Sequence, residues 1–166
     1  MTKKAKTIAF IGLFTALAMI LAYVEAILPP LFSAIPGIKI GLPNIVIVFL
    51  LYRRGPVFAS LVSLLRILLI SVLFGNTMSL IYSLVGGALS MLIMVILQRM
   101  RFLSTVGVSV AGGVAHNVGQ ILAAMLLLET TELGYYLVVL IVTGTVAGIL
   151  IGLCGSLLIK RIPKSI

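Results

Sequence analysis

Long apolar runs, each closed by a basic cluster or a helix breaker, dominate this sequence and restrict it to one solvent, the lipid bilayer. Of the 166 residues, 62% are hydrophobic and 9% are charged, with a mean hydropathy of +1.36. A soluble domain carries roughly 25% charged residues, and a water-soluble core of this size has no means of hiding so much apolar surface. The runs predict helical spans over residues 7–28, 38–52, 57–74, 78–98, 103–128 and 134–159. Pro29-Pro30, Gly75-Asn76 and the tight turn Arg53-Arg54-Gly55-Pro56 separate some of them; Arg99 with Arg101, and Lys160 with Arg161, close others. The second span is shorter than the ~20 residues a bilayer asks for, and Pro43 interrupts it. The expected fold is therefore an all-α membrane protein, a single bundle of six transmembrane helices.

The net charge of +9 does not indicate nucleic acid, because the basic residues form no single patch. Six spans place both termini on one side, together with Lys3, Lys4, Lys6, Arg53, Arg54, Arg99, Arg101, Lys160, Arg161 and Lys164. The other side receives Lys39 with Glu25, Glu129 and Glu132. Positive-inside bias then puts both termini in the cytoplasm of a multi-pass protein of the cell membrane. The basic start of the first run resembles a signal peptide, but the run is long enough to span and no convincing small-residue cleavage site follows, so it is read as a retained helix.

Ionisable and polar groups inside the spans mark the candidate site. Arg66 lies near the middle of the third span, roughly 13 Å deep at 1.5 Å per residue, where a guanidinium requires an anion or several carbonyls. Glu25 is the one internal partner within plausible reach, so either a Glu25–Arg66 pair or a ligand anion answers it. His116, Asn117 and Gln120 cluster in the fifth span, with His116 and Gln120 four apart on one face. They serve either as interhelical glue or as donors and acceptors in a cavity. At the start of the second span, Pro36-Gly37-Ile38-Lys39-Ile40-Gly41-Leu42-Pro43-Asn44 prevents a regular helix start. Its freed backbone groups must face protein or a wet cavity, and Lys39 either snorkels to the interface or draws in an anion that Asn44 bonds. Small residues repeat as Ala18, Ala22 and Ala26 on the first helix, and as Gly144, Gly148, Gly152 and Ser156 on the sixth. Such rows allow close helix contact; internal packing fits the sixth helix, and for the first either internal packing or an external partner is open.

Several chemistries are absent. The chain has no Asp and three scattered Glu, so no acid-rich cluster holds Mg²⁺ on a diphosphate. One His and one Cys far apart in sequence give no metal site, and no cofactor is implied. No G-x-x-x-x-G-K-[ST] loop exists, so ATP hydrolysis, where needed, belongs to another subunit. The expectation is a protein without catalysis of its own.

Four stretches carry a family resemblance: Pro36-Gly37-Ile38-Lys39-Ile40-Gly41-Leu42-Pro43-Asn44-Ile45, Arg66, Gly86-Gly87-Ala88-Leu89-Ser90, and the segment 107–120 that ends His116-Asn117-Val118-Gly119-Gln120. Together they resemble the Gx-transporter family, often labelled heptaprenyl diphosphate synthase component I. That family looks related to the substrate-binding S components of energy-coupling factor (ECF) transporters. The resemblance implies a six-helix importer subunit of the S-component type with an outward-facing pocket. It also implies that Ala18 and Ala22 face a transmembrane scaffold subunit joined to two ATPases. The substrate would be a small anionic or polar molecule bound by Lys39, Asn44, Arg66, His116, Asn117 and Gln120. The alternative is a non-transporting accessory subunit of polyprenyl or quinone metabolism, or of flavin-based extracellular electron transfer.

Overall fold

In the computed structural model, which describes residues 2–27, 41–74 and 77–163, every regular element is helical. Helix α1 spans Lys3–Ile27, α2 Asn44–Arg53, α3 Pro56–Phe74, α4 Thr77–Met100, α5 Thr105–Leu127 and α6 Leu137–Arg161. A short tight helical turn, Glu132–Tyr136, precedes α6. Five helices, α1 and α3 to α6, are long and apolar enough to cross a membrane. Their outward faces carry exposed Leu, Ile, Val and Phe side chains along their length, as lipid-solvated helices do.

The second expected span differs from the rest. Helix α2 has 10 residues, about 15 Å of rise, half of what the ~30 Å hydrocarbon core requires. Residues 38–40 of the expected span lie outside the described residues. What α2 lacks in length it makes up in burial: Val46 to Leu51 are buried without interruption, so every face of the helix is covered. A helix apolar all round belongs inside a bundle, and α2 is packed by α1, α3 and α6. Pro43 is tolerated because it precedes the first helical residue, where no amide is needed. At the other end, Gly55 adopts φ +90°. The amides of Arg54 and Gly55 both return to the Leu50 carbonyl, 2.8 and 3.1 Å, and Pro56 opens α3 at once.

Helix α5 runs between α4 and α6 with glycine at both contacts. Gly144, Gly148 and Gly152 of α6 face Gly113, Val110 and Val106 of α5, and Gly86 of α4 faces His116 and Gly119. This is the close-packed seam expected for the sixth helix, and it supplies the packing that holds helices together where lipid competes equally for apolar surface.

One end of the bundle gathers the cations. Arg53 at the end of α2 donates through Nη2 to the carbonyls of Ile159 and Ile162 at the end of α6. Gln98 near the end of α4 donates to the Leu51 carbonyl at 2.9 Å. Arg54 lies over the Phe10 ring of α1 at 4.5 Å and the Phe58 ring of α3 at 5.7 Å. The ends of α2, α4 and α6 and the starts of α1 and α3 therefore meet where the basic clusters lie. Arg53 satisfies carbonyls that no helical amide reaches, and a charged hydrogen bond of this kind contributes roughly 1.5–3 kcal/mol. Arg53→Ala should lower the thermal unfolding midpoint in micelles. An unchanged midpoint would show that the clasp carries no stability.

Candidate functional site

At the end of the bundle away from the basic clusters, the short α2 leaves space that no other helix fills. A cavity of about 730 Å³ lies there, walled by all six helices and by the Gly41–Pro43 segment that leads into α2. Small-ligand pockets fall at roughly 300–1,000 Å³.

Asn44, Arg66, His116, Asn117 and Gln120, all singled out from sequence, line this one cavity. Lys39 lies outside the described residues. Arg66 comes from the middle of α3, Asn44 from the first position of α2, and the other three from one side of α5. The roles within the cluster differ. Asn117 Nδ2 donates to the Leu140 carbonyl of α6 at 2.6 Å. Its amide therefore ties α5 to α6, the interhelical use that membrane bundles make of such side chains, while the residue still borders the cavity. Gln120 and His116 pack against Gly86, where no side chain intervenes.

Glu25 does not take Arg66 as a direct partner. Its two carboxylate oxygens accept from the backbone amides of Gly41, 2.6 Å, and Leu42, 3.1 Å. These are the freed backbone groups expected from the Gly- and Pro-rich stretch. Gly41 reaches this geometry at φ +79°, open to glycine and strained for other residues. The next amides are also satisfied: Asn44, Ile45 and Val46 donate to the carbonyls of Gly41, Leu42 and Pro43 at 2.8–3.2 Å. Arg66 feels the charge of Glu25 electrostatically, but no ion-pair contact joins them among the described residues. Its Nε is buried and lacks a hydrogen-bond partner. A buried donor left unpaired among the described residues is costly, and the residue that carries it lines the cavity.

Of the alanine row of α1, Ala18 turns inward, which removes that residue from the expected partner surface. Ala18 is 0% exposed and sits in the hydrophobic core, and Ala22 and Ala26 line the cavity. A four-residue repeat marks one face of a helix without saying what that face meets. Helix α1 packs against α3 and, less extensively, α2. Ala9, Gly12, Ala16 and Ala26 of α1 are exposed.

Sequence reasoning passed over Ser79, Tyr82 and Ser83 of α4, Ser71 of α3 and Thr143 of α6, which also line the cavity. Ser79 and Ser83 stand four apart with Tyr82 between them, a polar stripe at helical spacing. Tyr23 and Phe74, with ring centroids 6.5 Å apart, add an aromatic wall. Among the described residues no group of His, Cys, Asp or Glu converges in a way that would hold a metal ion.

Comparison with known proteins adds one finding. The family described as heptaprenyl diphosphate synthase component I matches residues 14–158, a stretch that includes every described cavity-lining residue. No curated protein and no solved structure matches the chain.

Proposed function

The chain belongs to the heptaprenyl diphosphate synthase component I family, and within it we propose that this protein is the substrate-capturing membrane subunit of an ECF-type importer for a small anionic or polar molecule. The observation that carries the proposal is Arg66, whose buried Nε has no hydrogen-bond partner among the described residues and which lines a cavity that also gathers Asn44, His116, Asn117 and Gln120. In this reading α2 counts as the sixth, half-length crossing. The basic end faces the cytoplasm by the positive-inside rule, and the cavity opens in the outer half of the cell membrane. The protein performs no catalysis. A scaffold subunit would meet the lipid-facing side of α1, at Gly12 and Ala16, and two ATPases attached to that scaffold would supply the energy.

Affinity purification from membranes in mild detergent should bring down ATPase subunits. Native mass spectrometry of the same preparation should detect a bound small molecule that Arg66→Ala loses. A variant that retains the molecule at wild-type occupancy would remove Arg66 from the site. The second reading, an accessory membrane subunit of polyprenyl or quinone metabolism or of flavin-based extracellular electron transfer, draws on the family description and on the apolar part of the wall, Ile67, Ile70, Phe74 and Ile151. It predicts a prenyl-chain or quinone-like molecule in the cavity and no ATPase in the preparation.

A further inference from the structure

The charged groups around the cavity are unequally committed, and that inequality bears on what the cavity accepts. Glu25 is fixed on the amides of Gly41 and Leu42. The three amides that follow return to nearby carbonyls, so the start of α2 presents no open amide to an anion, unlike the helix starts that bind phosphate. Arg66 is the one Lys or Arg among the described lining residues, and its buried Nε has no hydrogen-bond partner among them. Among the described residues a single guanidinium thus lines the cavity, with one anchored carboxylate in the same wall.

The geometry points to a compact organic monoanion as the ligand, a carboxylate held by the Arg66 guanidinium with an apolar or aromatic body against Tyr23, Ile70 and Phe74; this deepens the proposed capture role and rests on the cavity being the capture site. The planar fork of arginine matches a carboxylate through two parallel hydrogen bonds. The Tyr23–Phe74 pair, though largely exposed, borders the cavity and offers aromatic contact to such a body. A diphosphate fits poorly. It brings at least two negative charges into a water-poor space that already holds Glu25, and like charges repel strongly at low dielectric. Among the described lining residues no acidic cluster would carry Mg²⁺ to offset them. Glu25 therefore does two things: it anchors the start of α2, and it rejects ligands of higher charge.

Thermal unfolding of the full chain in micelles, at constant ionic strength, tests this with benzoate and inorganic pyrophosphate as probes. A ligand that binds the folded state raises the midpoint. Benzoate should raise the wild-type midpoint by several degrees and pyrophosphate should leave it unmoved. The benzoate shift should vanish in Arg66→Gln and shrink in Arg66→Lys, which keeps the charge and loses the fork. In Glu25→Gln, pyrophosphate should begin to stabilise. Should either glutamine variant fail to fold, the wild-type comparison of the two probes and the Arg66→Lys response still decide the matter. The assignment is overturned if pyrophosphate stabilises the wild type as strongly as benzoate does, if benzoate acts on Arg66→Gln as on the wild type, or if benzoate has no effect on the wild type. Failure to co-purify ATPases would instead count against the importer and leave the ligand class standing.

Discussion

Gly148→Leu should prevent the chain from reaching its native bundle, whereas Gly12→Leu should leave folding intact. Both are glycines in the middle of a long apolar helix, and composition gives no ground for separating them. Their surroundings do. A Cβ on Gly148 would stand 2.6 Å from the Cα of Val110 and 3.0 Å from the Ser109 carbonyl oxygen, both backbone atoms of α5. Backbone cannot swing aside as a side chain can, so even alanine must push α6 away from α5. The displacement spreads along the seam, where a Cβ on Gly113 would meet the Gly144 carbonyl at 2.7 Å. Overpacking by a methyl or two costs about 1–3 kcal/mol in a close-packed core, and leucine adds more volume than that. In lipid the loss is not offset by hiding the separated surfaces from water, because the acyl chains solvate them equally well. Around Gly12 a Cβ meets nothing within 4 Å, and relief from glycine's low helix propensity is worth up to ~1 kcal/mol. Size-exclusion profiles and thermal unfolding in micelles would distinguish the two. A Gly148→Leu protein that remains monodisperse and melts with the wild type would refute the seam as a structural requirement.

The amino-acid sequence carried the spans well because hydropathy is a local property. Five expected spans, 57–74, 78–98, 103–128, 134–159 and 7–28, begin and end within a few residues of the helices found. The turn at Arg53 to Pro56 was legible because Gly55 and Pro56 each force one backbone geometry. The second span was not, since an apolar run reads alike whether it crosses lipid or is enclosed by other helices. Only the uninterrupted burial of Val46 to Leu51 separates the two. The site was legible as a set of unusual residues at one depth, and five of the six converge. How each is used was hidden, because it depends on contacts between distant segments: Asn117 with Leu140, and Glu25 with Gly41 and Leu42 rather than with Arg66. Ala18 shows the same limit, since its four-residue spacing marked a helix face without revealing that the core covers it.

Glu25→Ala is expected to be the most damaging single change at the cavity, and a double-mutant cycle with Arg66→Ala separates the two reasons. The first is local. Both carboxylate oxygens accept backbone amides, and alanine leaves the Gly41 and Leu42 N–H groups without those acceptors. A buried donor so orphaned costs about 1–3 kcal/mol, less where cavity water reaches it. Glu25→Gln should fall between, since one amide oxygen takes the place of two. The second reason is electrostatic. Glu25 is the charge that Arg66 feels across the cavity, and its removal leaves a guanidinium at membrane depth with nothing opposite. The amide clamp does not involve Arg66, so this part of the loss should be the same in either background. The electrostatic part should disappear once Arg66 is gone. Glu25→Ala should therefore cost less in the Arg66→Ala chain than in the wild type, with a coupling of about 0.5–3 kcal/mol measured by reversible unfolding in mixed micelles. Additive losses would mean that Glu25 serves only to hold the start of α2, and that Arg66 is indifferent to it. In that case the guanidinium must be balanced from within the cavity by a molecule of opposite charge, and the chain stripped of that molecule should itself be less stable than the chain as first isolated.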